Sequence, residues 1–224
     1  MAAIRAILGN RSSEFFIGKE ALEEVLTSRP APKILHLATH GFYLGDQQLP
    51  VPEAVAGAAT KAKPQPNPGD TAERRQAGYE NPLVRSGLAL AGANTALAAQ
   101  QQERQDGLVT AEKILNLNLL GTDLVVLSAC ESGLGEVKSG EGVFGLRRAF
   151  SQAGAKSMVI SMWPVPDQET KELMTAFYIN IQIGSMDRAQ ALRHAVFDEM
   201  ATVKKRYGHA NPFFWGAFIF AGEP

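Results

Sequence analysis

Cys130 is the only cysteine in a chain of 224 residues. It closes the run Asp123-Leu124-Val125-Val126-Leu127-Ser128-Ala129-Cys130, where an apolar, β-branched stretch turns polar within two residues. Such a stretch reads as a buried parallel strand, and open α/β sheets form their sites just beyond the carboxyl ends of strands. A free thiol is largely protonated near neutral pH, so a nucleophilic cysteine needs a base, commonly histidine. The stretch Lys33-Ile34-Leu35-His36-Leu37-Ala38-Thr39-His40-Gly41 has the same grammar: an apolar strand, then a polar residue and a glycine. If the two strands are neighbours in one parallel sheet, His40 and Cys130 meet at one rim. The chemistry would be acyl transfer. Cys130 attacks a carbonyl, His40 protonates the leaving amine, and backbone N–H groups of Gly41 and Cys130 bind the oxyanion. Gly41 offers its N–H with no side chain in the way. Thr39 and Ser128 could support the pair from behind, and no third catalytic acid is demanded. The plainer alternatives are a small buried hydrophobe for Cys130 and a loop histidine for His40. His36 reads as a packed, hydrogen-bonded strand histidine; His194, in a helix, and His209, in a polar turn, read as structural.

The elements that must position this pair alternate along the chain. Met1 to Leu8 reads as a short helix, Phe15-Phe16-Ile17 as a short strand, and Lys19 to Ser28 as a helix ended by Pro30 and Pro32. Residues 45–81 carry Pro50, Pro52, Pro64, Pro66 and Pro68 among alanine, lysine and glutamine, so this stretch reads as a flexible loop on the rim, a lid or a plain spacer. Ser86 to Ala91 is a strand. Thr110 caps a helix that ends near Leu117-Asn118. Val143 to Ala153 is an amphipathic helix, Lys156 to Met162 a strand, Glu169 to Ile183 and Asp187 to Tyr207 two long helices, and Phe213 to Phe220 the last strand. This order implies an α/β fold of three layers, a mainly parallel central sheet with helices on both faces, in a single domain over 1–224. The abrupt start suggests a domain excised from a longer chain.

Composition bounds the function. Hydrophobic residues make up 45% and charged residues 20%, with a net charge of −1, which gives no electrostatic case for nucleic acid or an anionic membrane. One cysteine permits no internal disulfide and suits a reducing cytoplasm. It also rules out a cysteine-based zinc site, and the histidines lack metal-ligand spacing. The longest apolar run, near Phe213 to Ala221, is about half of the ~20 residues that span a bilayer. Gly140-Glu141-Gly142-Val143-Phe144-Gly145 satisfies G-x-G-x-x-G, yet it does not directly follow a strand, so no dinucleotide and no other cofactor is expected.

His40-Gly41 with Ser128-Ala129-Cys130-Glu131-Ser132-Gly133 resembles the CHAT domain, a bacterial branch of the caspase-like cysteine peptidases, whose clan includes separase. Further matches, in the family's order, are Asn81-Pro82-Leu83 with Ser86 to Gly92, Gly107 to Glu112, Gly140 to Phe150, Ser161 to Asp167 and Asn211 to Phe218. The resemblance covers roughly residues 34–222. It implies a caspase-like sandwich and a cysteine endopeptidase acting on protein or peptide substrates through a Cys130–His40 dyad. By its likeness to separase, Asp167 lines a pocket for Arg or Lys in the substrate; Glu131 and Asp46 are weaker choices. Asp167 also stands where a helix N-cap is expected. CHAT domains often follow helical-repeat regions that govern access to the dyad, so a regulatory region or partner of that kind is implied. The competing expectation is a latent or silent caspase-like interaction module.

Overall fold

Side chains that point alternately to the two faces of one strand divide the core into two layers. In the computed structural model, which describes residues 2–8, 13–43, 82–94, 106–128, 130–131 and 141–224, β5 (Leu124–Leu127) is wholly buried. It runs parallel to β1 (Ile34–Leu37) on one side and to β7 (Ser157–Ser161) on the other, and β8 (Phe218–Gly222) closes that edge antiparallel. Val125 and Leu127 point to one face and Leu124 and Val126 to the other, as the pleat requires. The first face packs with Ile114 of α4 (Ala111–Leu115) and with Leu146, Ala149 and Phe150 of α5 (Glu141–Gln152). The second packs with Leu173, Phe177 and Tyr178 of α6 (Asp167–Gln182), with Ala191 and Ala195 of α7 (Arg188–Tyr207), and with Ile4 of α1 (Ala2–Leu8). Helices therefore cover both faces of a mainly parallel sheet. A fully buried Phe or Leu in such a layer stabilises by about 1.5–3 kcal/mol.

A second ladder continues the first. β2 (His40–Tyr43) follows β1 after a break at Ala38-Thr39, and the two-residue β6 (Cys130–Glu131) follows β5. β2 pairs parallel with β6 and antiparallel with β3 (Ser86–Ala89), which pairs antiparallel with β4 (Leu108–Thr110). Leu37 opposes Leu127 in the first ladder and His40 opposes Cys130 in the second, at one and the same sequence separation. The register is thus carried across the break, with a bond from Ser128 N–H to the Leu37 carbonyl at 3.2 Å in between.

Several elements depart from expectation. Phe15 to Ile17 is not a strand; Phe15 and Phe16 instead lie under the guanidinium groups of Arg5 and Arg29. The stretch from Lys19 is broken into a 3-10 turn at Gly18–Glu20 and α2 (Glu23–Thr27), because the Ala21 carbonyl is taken by the N–H of Ala91. The strand from Ser86 stops at Ala89. A further short helix, α3 (Pro82–Arg85), leads into that strand. The aromatic run after Asn211 begins as a helical turn, α8 (Pro212–Trp215), capped by Asn211 accepting from Phe213 N–H, and the strand starts only at Phe218. Among the described residues no helix is long and apolar enough to cross a membrane.

Candidate active site

The strands that carry His40 and Cys130 are held by their neighbours before any side chain acts. β2 lies between β3 and β6, so His40 has Ala89 on one side and Cys130 on the other. Thr39, in the break ahead of it, donates its hydroxyl to the Ala89 carbonyl. That bond holds the strand on its new line. His40 is exposed to solvent, whereas Gly41 is buried between Leu88 and Glu131. The backbone therefore brings together the two strand ends that carry the expected base and nucleophile.

Behind them is a buried polar chain. The His36 ring, in the middle of β1, has Nδ1 at 2.9 Å from the Tyr178 hydroxyl and Nε2 at 3.4 Å from Ser128 Oγ. Its ring stacks on Tyr178 at 5.7 Å between centroids. Burial pushes the imidazole down to about 4 and pushes the Tyr178 phenol up, so both groups are neutral at pH 7. The packed, hydrogen-bonded histidine expected at this position is observed. Its phenolic partner was missed. A histidine and a tyrosine that both occupy core-facing positions each require a polar partner, and that requirement was the available signal.

Asp167 is exposed and is the first residue of α6. It is not the N-cap. Pro166 takes that position, with no side-chain cap, because helical bonding starts one residue early, from Thr170 N–H to the Pro166 carbonyl. The acid still suits the positive end of the helix dipole. It follows β7, the strand beside β5, through Trp163, whose indole N–H donates to the Phe213 carbonyl at 2.9 Å. Glu131 pairs with Gly41 through the backbone. Asp46 and the proline-rich stretch 45–81 lie outside the described residues. Among the glycines of Gly140 to Gly145, the last has a packing role. A Cβ there would sit 2.7 Å from Ser86 Oγ, so Gly145 lets α5 lie against β3. Among the described residues no group of three or more His, Cys, Asp or Glu could hold a metal ion.

The chain is similar in sequence to known proteins. Tetratricopeptide repeat protein 28 of Homo sapiens is 33% identical over 119 residues, which is 53% of this chain and 4% of that protein. The protein of the same name from Mus musculus is 32% identical over 116 residues, 52% of this chain and again 4% of the relative. The chain thus matches a small part of the length of these curated relatives, and both are mammalian, so the likeness is not confined to bacteria. The CHAT domain model matches residues 1–223: the chain belongs to the CHAT family of caspase-like domains.

Proposed function

We propose that this domain is a cysteine endopeptidase in which Cys130 is the nucleophile and His40 the base. The observation that carries the reading is the pairing of His40 with Cys130 in the ladder of β2 and β6, beyond the carboxyl ends of β1 and β5. In this mechanism His40 takes the thiol proton and later gives it to the leaving amine. The thiolate adds to the scissile carbonyl, and backbone N–H groups at Gly41 and Cys130 receive the oxyanion. The exposed Asp167 at the head of α6 suits a basic side chain before the cut, with Glu131 and Asp46 as further acids. The single cysteine fits work in a reducing compartment. The relatives' names carry a tetratricopeptide repeat, which favours control by a helical-repeat region or partner. The same names favour a second reading, a silent interaction module within a repeat protein.

Intact-mass labelling with a peptidyl acyloxymethyl ketone ending in Arg separates these readings. The expected result is one adduct on the native protein, lost in Cys130→Ala and strongly reduced in His40→Ala, with an Asp-ended probe reacting more slowly. A preference for Asp would keep the peptidase and discard Asp167 as its selector. No adduct with either probe on folded protein would overturn the peptidase reading in favour of the interaction module.

A further inference from the structure

The chain Tyr178–His36–Ser128 joins a helix to the strand end that carries Cys130. Tyr178 is almost wholly buried in α6, at 1% exposure. Ser128 is half-buried and occupies the gap between β5 and β6. Both ring nitrogens of His36 are occupied, one by each hydroxyl. A neutral imidazole has one donor and one acceptor. Among the described residues the Tyr178 hydroxyl bonds to His36 alone, and a buried phenol left without an acceptor carries a desolvation cost. The low-cost arrangement has the Tyr178 hydroxyl donating to Nδ1 and Nε2–H donating to Ser128 Oγ. The Ser128 hydroxyl hydrogen then has no acceptor among the described residues.

Among the described residues, the backbone at this point is held by the two-residue ladder of β6 with β2 and by the bond from Ser128 N–H to the Leu37 carbonyl. A strand that needed only to pack would fill the His36 position with Val or Leu, as its neighbours do. A buried polar network that is fully satisfied fixes a single geometry instead.

We propose that His36 and Tyr178 are positioning residues: the directed chain from Tyr178 through the Nε2–H tautomer of His36 to Ser128 sets the backbone at Ser128 and, through it, the position of the β6 strand at Cys130 and Glu131. This deepens the peptidase reading and rests on it for its purpose, but the exchange part of the test does not depend on catalysis. Tyr178→Phe keeps the ring and removes only the hydroxyl. His36→Gln keeps a donor near the Nε2 position, and His36→Phe keeps none. Residue-resolved amide exchange should accelerate about tenfold at Ser128 to Glu131 in Tyr178→Phe and His36→Phe, with Val125 and Val126 unchanged and His36→Gln closer to wild type. Carbon and nitrogen shifts of the His36 ring should report the Nε2–H tautomer in the wild type. The pH midpoint of Cys130 alkylation by iodoacetamide should rise in Tyr178→Phe while the melting temperature changes little. If Tyr178→Phe fails to fold, Ser128→Ala, at a half-open position, carries the same measurements.

Exchange that is unchanged at residues 128–131, or that accelerates equally along β5, overturns the proposal, as does an Nδ1–H tautomer. A wild-type midpoint that is low and does not move in Tyr178→Phe confines the chain to packing and also overturns it. A wild-type midpoint at the ordinary thiol value would sink the peptidase reading, and the exchange result would still decide the positioning of the strand end.

Discussion

His40 and Cys130 meet through backbone geometry, so the residues that keep the ladder tight matter as much as the pair itself. Gly87 is such a residue. It lies in β3 between β2 and β4, and a Cβ on it would come within 2.5 Å of Phe42 Cζ and 2.7 Å of the Val109 carbonyl oxygen. The ring could move, but the carbonyl belongs to the ladder and cannot move without parting β3 from β4. Gly87→Ala should therefore cost about 1–3 kcal/mol in urea denaturation. It should also weaken labelling of Cys130, because Phe42 shares β2 with His40. At this scale the strands that lead to the pair are legible, because β1 and β5 are apolar runs that turn polar at their carboxyl ends; the structure departs from expectation in that His40 and Cys130 do not end those strands but begin the short β2 and β6 that follow. That a core-facing His36 needs a polar partner is legible, but which residue supplies it is not, because the bond to Tyr178 spans 142 residues and no local pattern encodes such a contact. The N-cap at Asp167 was misjudged because a capping side chain is only one way to begin a helix, and here the chain enters through Pro166.

Among the elements, long periodic helices and buried strands were readable. β1, β5, β7, α6 and α7 fall close to their expected ranges, since their apolar periods are those of the layers they pack into. Short aromatic stretches were not. Asn211-Pro212 is an N-cap followed by proline at the first helical position, and that signal overrides the strand preference of Phe213-Phe214-Trp215. The pair α6 and α7 supports a prediction of its own. Glu199 of α7 is 3% exposed, and its Oε1 is buried without a hydrogen-bond partner among the described residues. The charged groups acting on it are Glu169 and Glu172 of α6 and Arg206 of its own helix. Arg206 donates to both Glu169 and Glu172, at 2.7 and 2.8 Å, so its charge is shared. Burial first, and then repulsion from Glu172, raises the Glu199 carboxyl to about 7 from its usual value of 4.5. The folded state therefore holds this proton more tightly than the unfolded chain. The stabilisation is complete below the unfolded value and is lost as pH rises towards 7. Glu199→Gln should match wild type near pH 4 and exceed it by on the order of 2 kcal/mol at pH 8. Urea denaturation at the two pH values measures the difference; equal stability at both would mean that Glu199 is not held protonated.

At the scale of the whole molecule, the residues ahead of β1 fasten both layers of the sandwich. Ile4 is buried among the α6 and α7 residues on one face. On the other side of the sheet, Lys113 of α4 meets Glu23 of α2 at 2.9 Å and Asp106 at 2.9 Å. Glu23 is 7% exposed, so this is no free surface pair, and removing the cation would leave two acids facing each other without a counter-charge. Burial alone would raise the Asp106 carboxyl, but hydrogen bonds from Lys113 and from the Leu108 N–H outweigh it and hold it below the usual carboxylate range. The contribution of Asp106 is therefore present above its unfolded value near 3.8 and is lost as pH falls through the depressed one. Lys113→Met, which keeps the length of the side chain, should cost about 2 kcal/mol at pH 7 after allowance for the part of Lys113 that solvent screens. The gap to wild type should narrow as pH falls through the depressed value of Asp106, where the wild type loses that contribution. Denaturation at pH 7 and at acid pH tests this, and a gap that is constant with pH would assign the loss to packing of the lysine stem instead. Because α4 packs with α5 beneath the sheet, the same variant should leave the pairing of His40 with Cys130 intact, and Cys130 labelling at pH 7 should stay near the wild-type rate.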